Sequence, residues 1–265
     1  MISVIVPSLN EAATIGSCLQ SIANQSVGRD GYEIIVVDGD SQDGTPDIAR
    51  RYADRVIAQS SKGIGGSRRD GADAARGDIL AFTDADTIVP HAWLERIEAN
   101  LADHDASTGP VIYVDADLRA ELLQKWRDLY RVFHALSFYY IIGSNMAVRR
   151  EVYQKIGGHR DISLLDDYDL SVRLMRIGAH SVYDPEQMVF TSSRRADRLL
   201  TYAITVAYGH YHYMVTRDHE KLLNYPKPEE MTLKSLIHSQ GPSLDSIRTA
   251  VESVHTYLEK IKKGL

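Results

Sequence analysis

The chain has 265 residues, 44% apolar and 25% charged side chains, and a formal net charge of −6. That length suits one sizeable domain, or a catalytic domain with a helical appendix, and the composition excludes disordered and fibrous classes. The acidic balance argues against a nucleic-acid partner, which calls for a basic surface, so an anionic ligand needs a locally basic site or a metal.

The first elements alternate short β-branched runs with helical patterns. Strands are expected at 2–6, 33–37 and 79–82, and helices at 12–24, 46–52 and 90–101, an order that gives α/β architecture with a doubly wound parallel sheet. The run Ile34, Ile35, Val36, Val37 is apolar on consecutive residues, as in a central strand covered on both faces. Cys18 shares a helical stripe with Ile15, Leu19 and Ile22, which makes it a packing residue. As the single cysteine it excludes an internal disulfide framework and favours a reducing compartment. Thr45 is expected to cap the second helix, with Pro46 at its first position and Asp47 at the positive end of its dipole.

No signal peptide is visible at the start. The longest apolar stretch, 136–148, is shorter than the ~18 residues of a membrane span. A cytoplasmic protein is therefore expected. An apolar, aromatic run that includes Tyr130, Phe133, Phe138, Tyr139 and Tyr140 is either the core side of a helix or a peripheral contact with the inner face of a membrane.

Ligands of open α/β sheets sit beyond the carboxyl ends of the strands. Here those ends are rich in acids: Pro7-Ser8-Leu9-Asn10-Glu11, then Asp38-Gly39-Asp40-Ser41-Gln42-Asp43-Gly44, then Thr83-Asp84-Ala85-Asp86. Asp84 and Asp86, two apart after a buried strand, offer the hard oxygen ligands that Mg²⁺ or Mn²⁺ prefer. A turn with capping aspartates is the competing reading. From about residue 118 the alternation fades, and a strand at 145–148, a helix at 167–177 and a strand at 188–190 follow. Beyond Arg194 the pattern is helical. Its last stripe, Leu244, Ile247, Val251, Val254, Leu258 and Ile261, either packs on the domain or forms the seam of a homodimer.

Taken together, these motifs resemble family 2 inverting glycosyltransferases of the GT-A fold. Pro7 to Glu11 is similar to that family's opening Pro-x-x-Asn-Glu. The stretch from Val36 to Thr45 is similar to its Val-Val-Asp-Asp-Gly-Ser-x-Asp-Gly-Thr, with the order of Gly39 and Asp40 swapped. Lys62-Gly63 through Arg68-Arg69-Asp70-Gly71 resembles the Gly-rich basic segment, and Asp84-Ala85-Asp86 the Asp-x-Asp. Gly143-Ser144-Asn145 with Arg149 resembles the acceptor strand, and Asp166-Asp167-Tyr168-Asp169-Leu170 with Arg173 the Glu-Asp-x-Asp-Leu helix.

The resemblance implies a Rossmann-like, mostly parallel sheet with flanking helices. It implies a catalytic domain at 1–195, with a nucleotide-binding half at 1–115 and an acceptor half at 116–195, then a helical extension at 196–265. It implies a nucleotide-sugar donor, a divalent metal and a saccharide or lipid-linked acceptor. Asp38 is then expected to read the base, with Pro7, Ser8, Asn10 and Glu11 around base and ribose. Lys62 and Arg69, or its neighbour Arg68, are expected near the base or diphosphate, with Asp84 and Ala85 beside the nucleotide and Asp86 on the metal. Asp167 matches the general base, and Asp166 replaces the family's glutamate with a shorter side chain. For either aspartate, N-capping of the helix is the alternative. Asn145 is placed at the acceptor. Arg194 and Arg195 either clamp a phosphate or lie on a solvated helix start. The processive Gln-x-x-Arg-Trp signature is missing, which favours single transfer.

Rival readings fit less well. A dinucleotide oxidoreductase needs Gly-x-Gly-x-x-Gly after the first strand. A sugar-phosphate nucleotidyltransferase needs a Gly-rich basic loop there. A GT-A domain that binds without transferring remains the third alternative.

Overall fold

The computed structural model describes residues 1–114, 139–192, 205, 208–210, 212–216 and 222–223. In chain order its elements are β1 (Ile2–Ser8), α1 (Ile15–Ala23), β2 (Tyr32–Asp38), α2 (Thr45–Ala49), β3 (Arg55–Ala58), α3 (Gly63–Ala74), β4 (Ile79–Phe82), β5 (Thr87–Ile88) and α4 (Trp93–Asp103). There follow β6 (Ala106–Thr108), β7 (Val111–Tyr113), β8 (Met146–Arg149), α5 (Arg150–Lys155), α6 (Asp166–Arg176), β9 (Ser181–Tyr183) and β10 (Val189–Thr191).

Seven strands form one sheet in the order β3-β2-β1-β4-β8-β6-β9, in which β8 alone runs antiparallel to its neighbours. A second sheet of three strands, β5-β10-β7, lies where the chain leaves β4. The mostly parallel sheet confirms the expected α/β class.

Both faces of the large sheet are buried. Val4 and Val6 of β1 face one way, into a cluster with Ile15, Leu19 and Ile22 of α1 and Trp93, Leu94 and Ile97 of α4. Ile5 faces the other way, with Ile35 and Val37, toward Ala72 of α3, Tyr153 of α5 and Leu170 and Leu174 of α6. This is why β2 reads as an unbroken apolar run. Cys18 is fully buried in the first cluster, as its stripe predicts.

The helix start after β2 differs from expectation. Gly44, at φ 86°, is the N-cap of α2 and Thr45 its first residue, and Asp43 Oδ1 accepts the Thr45 N–H at 3.1 Å and the Thr45 hydroxyl at 2.5 Å. Gly71 lets α3 approach the sheet closely, since a Cβ there would overlap the Ile5 side chain. The boundary expected at 195 and the C-terminal stripe at 244–261 lie outside the described residues, as does the aromatic run up to residue 138. No helix among the described residues is long and apolar enough to cross a membrane.

Candidate active site

The strand order reverses at β1. The chain moves outward through β2 and β3, then returns to place β4 on the other flank of β1. A crevice at such a reversal is where open α/β sheets hold ligands. Register parts the strands unequally here. The pairing of β1 with β4 ends at Ile5 and Phe82, whereas its pairing with β2 continues to Ser8 and Asp38. Ile5 O accepts the Thr83 N–H on the β4 side, and Ser8 O accepts the Gly39 N–H on the β2 side. By the two-residue alternation of a strand, the Pro7 nitrogen then faces the β4 side, beyond the last pair, where a proline sacrifices no ladder bond already in place.

The loops after β1 and β2 hold each other. The Asn10 N–H donates to Ser41 Oγ at 2.9 Å, and Asn10 Oδ1 accepts the Gln42 N–H at 2.8 Å. Glu11 N–H donates to Thr45 Oγ1 at 2.8 Å, and Ala12 N–H to Asp43 Oδ2 at 3.0 Å. Asn10 and Asp40 both adopt positive φ, 55° and 71°, a conformation that Asn and Asp tolerate better than other side-chain-bearing residues. Asp38 accepts the Ser41 hydroxyl at 2.6 Å and its N–H at 3.1 Å. Hydrogen bonds to its hydroxyl and amide donors hold the Asp43 carboxyl below the usual range. Pro7 and Ser8 are buried strand residues. These positions converge at the β2 side of the crevice, as turn-forming groups.

The other side is built differently. Asp84, Ala85 and Asp86 form the turn that carries the chain from β4 into β5, closed by the Thr87 N–H on Asp84 O at 3.0 Å. Asp84 is 21% exposed and accepts Arg68 Nη2 at 2.7 Å. Asp86 Oδ1 lies 3.4 Å from the Thr191 hydroxyl of β10. Arg68, 3% exposed, turns its Nη1 to Asp166 Oδ2 at the first residue of α6. One buried guanidinium thus joins the end of β4 to the start of α6. Gly143 covers it: a Cβ there would lie 2.5 Å from Arg68 Nη2. Burial pushes the Asp166 carboxyl up to about 6, helped by the neighbouring charges of Asp167 and Asp84 and opposed by Arg68.

Asp167 is partly exposed. Its Oδ1 accepts the Tyr140 hydroxyl at 3.0 Å and the Tyr168 N–H at 2.8 Å, and its Oδ2 accepts the Gly143 N–H at 3.1 Å. A carboxylate offers about four acceptor positions. Among the described residues three are taken, which leaves one on Oδ2 for an incoming hydroxyl.

Other expected residues lie elsewhere. Arg69 is not at this junction. It donates to Asp161 at 2.5 Å, to Ser61 Oγ at 2.9 Å and to His159 O at 3.3 Å, so Arg68 is the one that meets the acids. Lys62 is exposed at the N-cap of α3. Asn145, expected at the acceptor, is fully buried. Its Nδ2 donates to Pro110 O at 3.2 Å and Gln187 O at 2.5 Å, and its Oδ1 accepts Trp93 Nε1 at 2.9 Å and Gln187 Nε2 at 3.3 Å. All four of its amide's positions are filled by protein groups. Arg194 and Arg195 lie outside the described residues.

Two partly exposed carboxylates at an open strand end, Asp84 and Asp86, have the donor chemistry for a hard divalent cation. Among the described residues no group of three His, Cys, Asp or Glu side chains comes together as a metal site.

A family model described as glycosyl transferase family 2 matches residues 3–157. The chain belongs to this family. The match covers β1 through α5 and stops short of Asp166 and Asp167. Among curated relatives, "Glycosyltransferase AglE" of Haloferax volcanii is 39% identical over 101 residues, 36% of this chain and 33% of that protein. A "PGL/p-HBAD biosynthesis glycosyltransferase" of Mycobacterium tuberculosis is 32% identical over 181 residues, 65% of this chain and 69% of that protein. The chain thus spans about a third of the first relative and just over two thirds of the second. A solved structure of the mannosyltransferase PcManGT from Pyrobaculum calidifontis, in complex with GDP-Man and Mn²⁺, superposes with a TM-score of 0.65 at 23% identity, covering 96% of this chain and 75% of that one. The likeness establishes the GT-A fold for this family 2 chain.

Proposed function

We propose that this family 2 glycosyltransferase moves a sugar from a nucleotide-diphosphate sugar to a hydroxyl of a saccharide or lipid-linked acceptor, in a single inverting transfer. The observation that carries the reading is the state of Asp167: partly exposed, fixed by three donors, with acceptor capacity left on Oδ2.

An inverting transfer needs one group to take the proton of the attacking hydroxyl while the diphosphate departs from the opposite face of the sugar. Asp167 suits that task because its carboxylate is oriented before substrate arrives. Asp166 is buried against Arg68 and serves to position that guanidinium rather than to meet the acceptor.

On the donor side, Asp84 and Asp86 would hold a divalent cation, which when bound supplies positive charge to the leaving diphosphate. The bound Mn²⁺ of the mannosyltransferase of similar fold supports this assignment. Asp38, at the far wall of the crevice, would accept from the base or ribose once its bonds to Ser41 rearrange or extend to the ligand.

The test is a thermal-shift titration against UDP, GDP, CDP and dTDP, each with Mn²⁺, Mg²⁺ or EDTA, because a ligand that binds only the folded state raises the melting temperature. One nucleotide should stabilise the protein only with metal, and Asp86→Ala should lose that shift. If no nucleotide shifts the wild type under any condition, the donor assignment is wrong.

A further inference from the structure

Beneath Asp166 lies a histidine that the proposed chemistry does not use. His159 is completely buried, and its Nε2 has no hydrogen-bond partner. A buried polar atom without a partner costs stability and calls for a reason. Asp166 Oδ2 lies 3.9 Å from Nε2, beyond hydrogen-bond distance, and is the same oxygen that accepts Arg68 Nη1.

The other ring nitrogen decides where the proton sits. His159 Nδ1 is 2.9 Å from the Tyr153 hydroxyl, and that hydroxyl also accepts the backbone N–H of His159 at 3.0 Å. Tyr153 is itself buried. Its one hydrogen is satisfied if it donates to an unprotonated Nδ1. The proton of the neutral ring is then on Nε2, on the Asp166 side. With the proton on Nδ1, the Tyr153 hydrogen would have no partner and an Nε2 lone pair would face a carboxylate oxygen.

A doubly protonated ring is disfavoured by its surroundings. Burial and the guanidinium charges of Arg68, Arg173 and Arg69 hold His159 well below the usual imidazole range. Asp166 faces its Nε2, and Tyr153 and the edge-on ring of Phe82, 5.1 Å between centroids, pack against it.

We propose that His159 is a positioning residue: as a neutral imidazole with its proton on Nε2, it turns that N–H toward Asp166 Oδ2, 3.9 Å away, and so adds to Arg68 in orienting this carboxylate at the start of α6. This rests on the functional reading above for its consequence in turnover. The placement of the proton stands apart from it. Asp166 in turn holds Arg68, and Arg68 holds Asp84, so a shift at His159 is felt at the donor end of the crevice through two ion pairs.

The experiment uses the full chain labelled with ¹⁵N-histidine. The protein has 10 histidines, and the signal lost in His159→Phe identifies this one. Long-range proton–nitrogen spectra from acidic to basic pH should show a ring that stays neutral with its proton on Nε2. A proton on Nδ1, or a ring that titrates like a free imidazole, overturns the proposal. Phenylalanine keeps the edge contact with Phe82 and removes both nitrogens. His159→Phe should lower kcat on the order of 10-fold, toward the mild end of what misplacing a reacting group costs, with KM for the donor little changed. His159→Gln, which restores a donor amide, should recover most of it. Equal activity in wild type and His159→Phe, or equal loss in both variants, refutes the positioning role. Should His159→Phe fail to fold, His159→Gln supplies the missing signal and its kcat the comparison. A wild type that turns over no nucleotide-sugar counts against the transferase reading, whereas the spectrum still decides the proton.

Discussion

The two walls of the crevice hold their acids by different means. On the β2 wall, Asp38 at the end of the strand and Asp43 in the loop beyond it accept hydroxyl and backbone N–H donors from that loop or the facing one. On the β4 wall, Asp84 and Asp166 share one guanidinium that is almost wholly buried. The first arrangement distributes each carboxylate over several weak, local donors, so losing one bond leaves the others. The second concentrates two acids on Arg68, and neither half of an ion pair removed from water is stable without the other.

This contrast can be broken or sharpened by substitution. The largest effect is expected just beyond the ion-paired wall, at Asp167: Asp167→Asn should lower kcat roughly 1000-fold, within the range of general-base catalysis. Nucleotide affinity should stay near wild type, because the amide keeps the size of the carboxylate. Steady-state kinetics beside a nucleotide titration would check both, and retained transfer would remove Asp167 from its role. Arg68→Ala should cost about 3–5 kcal/mol of folding stability in urea denaturation, the scale for orphaning buried charges. A loss below about 1 kcal/mol, typical of exposed pairs, would mean that the two walls do not differ in kind. Asn145→Ala should cost about 1–3 kcal/mol by leaving buried donors and acceptors unpaired, with kcat of the folded protein preserved. A selective fall in kcat would return Asn145 to the acceptor. Arg69→Ala, at a pair whose two side chains are 31% and 41% exposed, should change stability by no more than about 1 kcal/mol. A larger loss would show that Arg69 shares the role of its neighbour.

The half of the sheet built from β1, β2 and β4 was the most legible in sequence. Strands β1, β2 and β4 are buried on both faces and announce themselves as apolar runs, and the acids beyond them follow from the sheet architecture. Strands β3, β5, β6, β7 and β9 were missed. Most are two or three residues long, too short to display a period. Helix α3 was hidden by Gly63, Gly65, Gly66 and Gly71, which leave it without an apolar stripe. Its phase did carry a signal: Gly65, Arg68 and Ala72 share one buried face, and that choice of arginine depends on recognising the helix. Asn145 was placed at the acceptor by its resemblance alone, and the partners of its amide, from Trp93, Pro110 and Gln187, are positions that chain order does not bring together. His159 could not be singled out because its neighbours meet only after α3, α5 and α6 have packed.

Pro7 has a consequence for the width of the crevice. The parallel register that pairs Ile5 with Phe82 would, two residues on, direct the N–H of residue 7 to the carbonyl of Thr83. Proline has no such proton, so the zipper between β1 and β4 stops one tooth early, and the turn bearing Asp84 and Asp86 is never drawn in against β1. The point where the two strands part is thus fixed by a backbone proton that proline lacks.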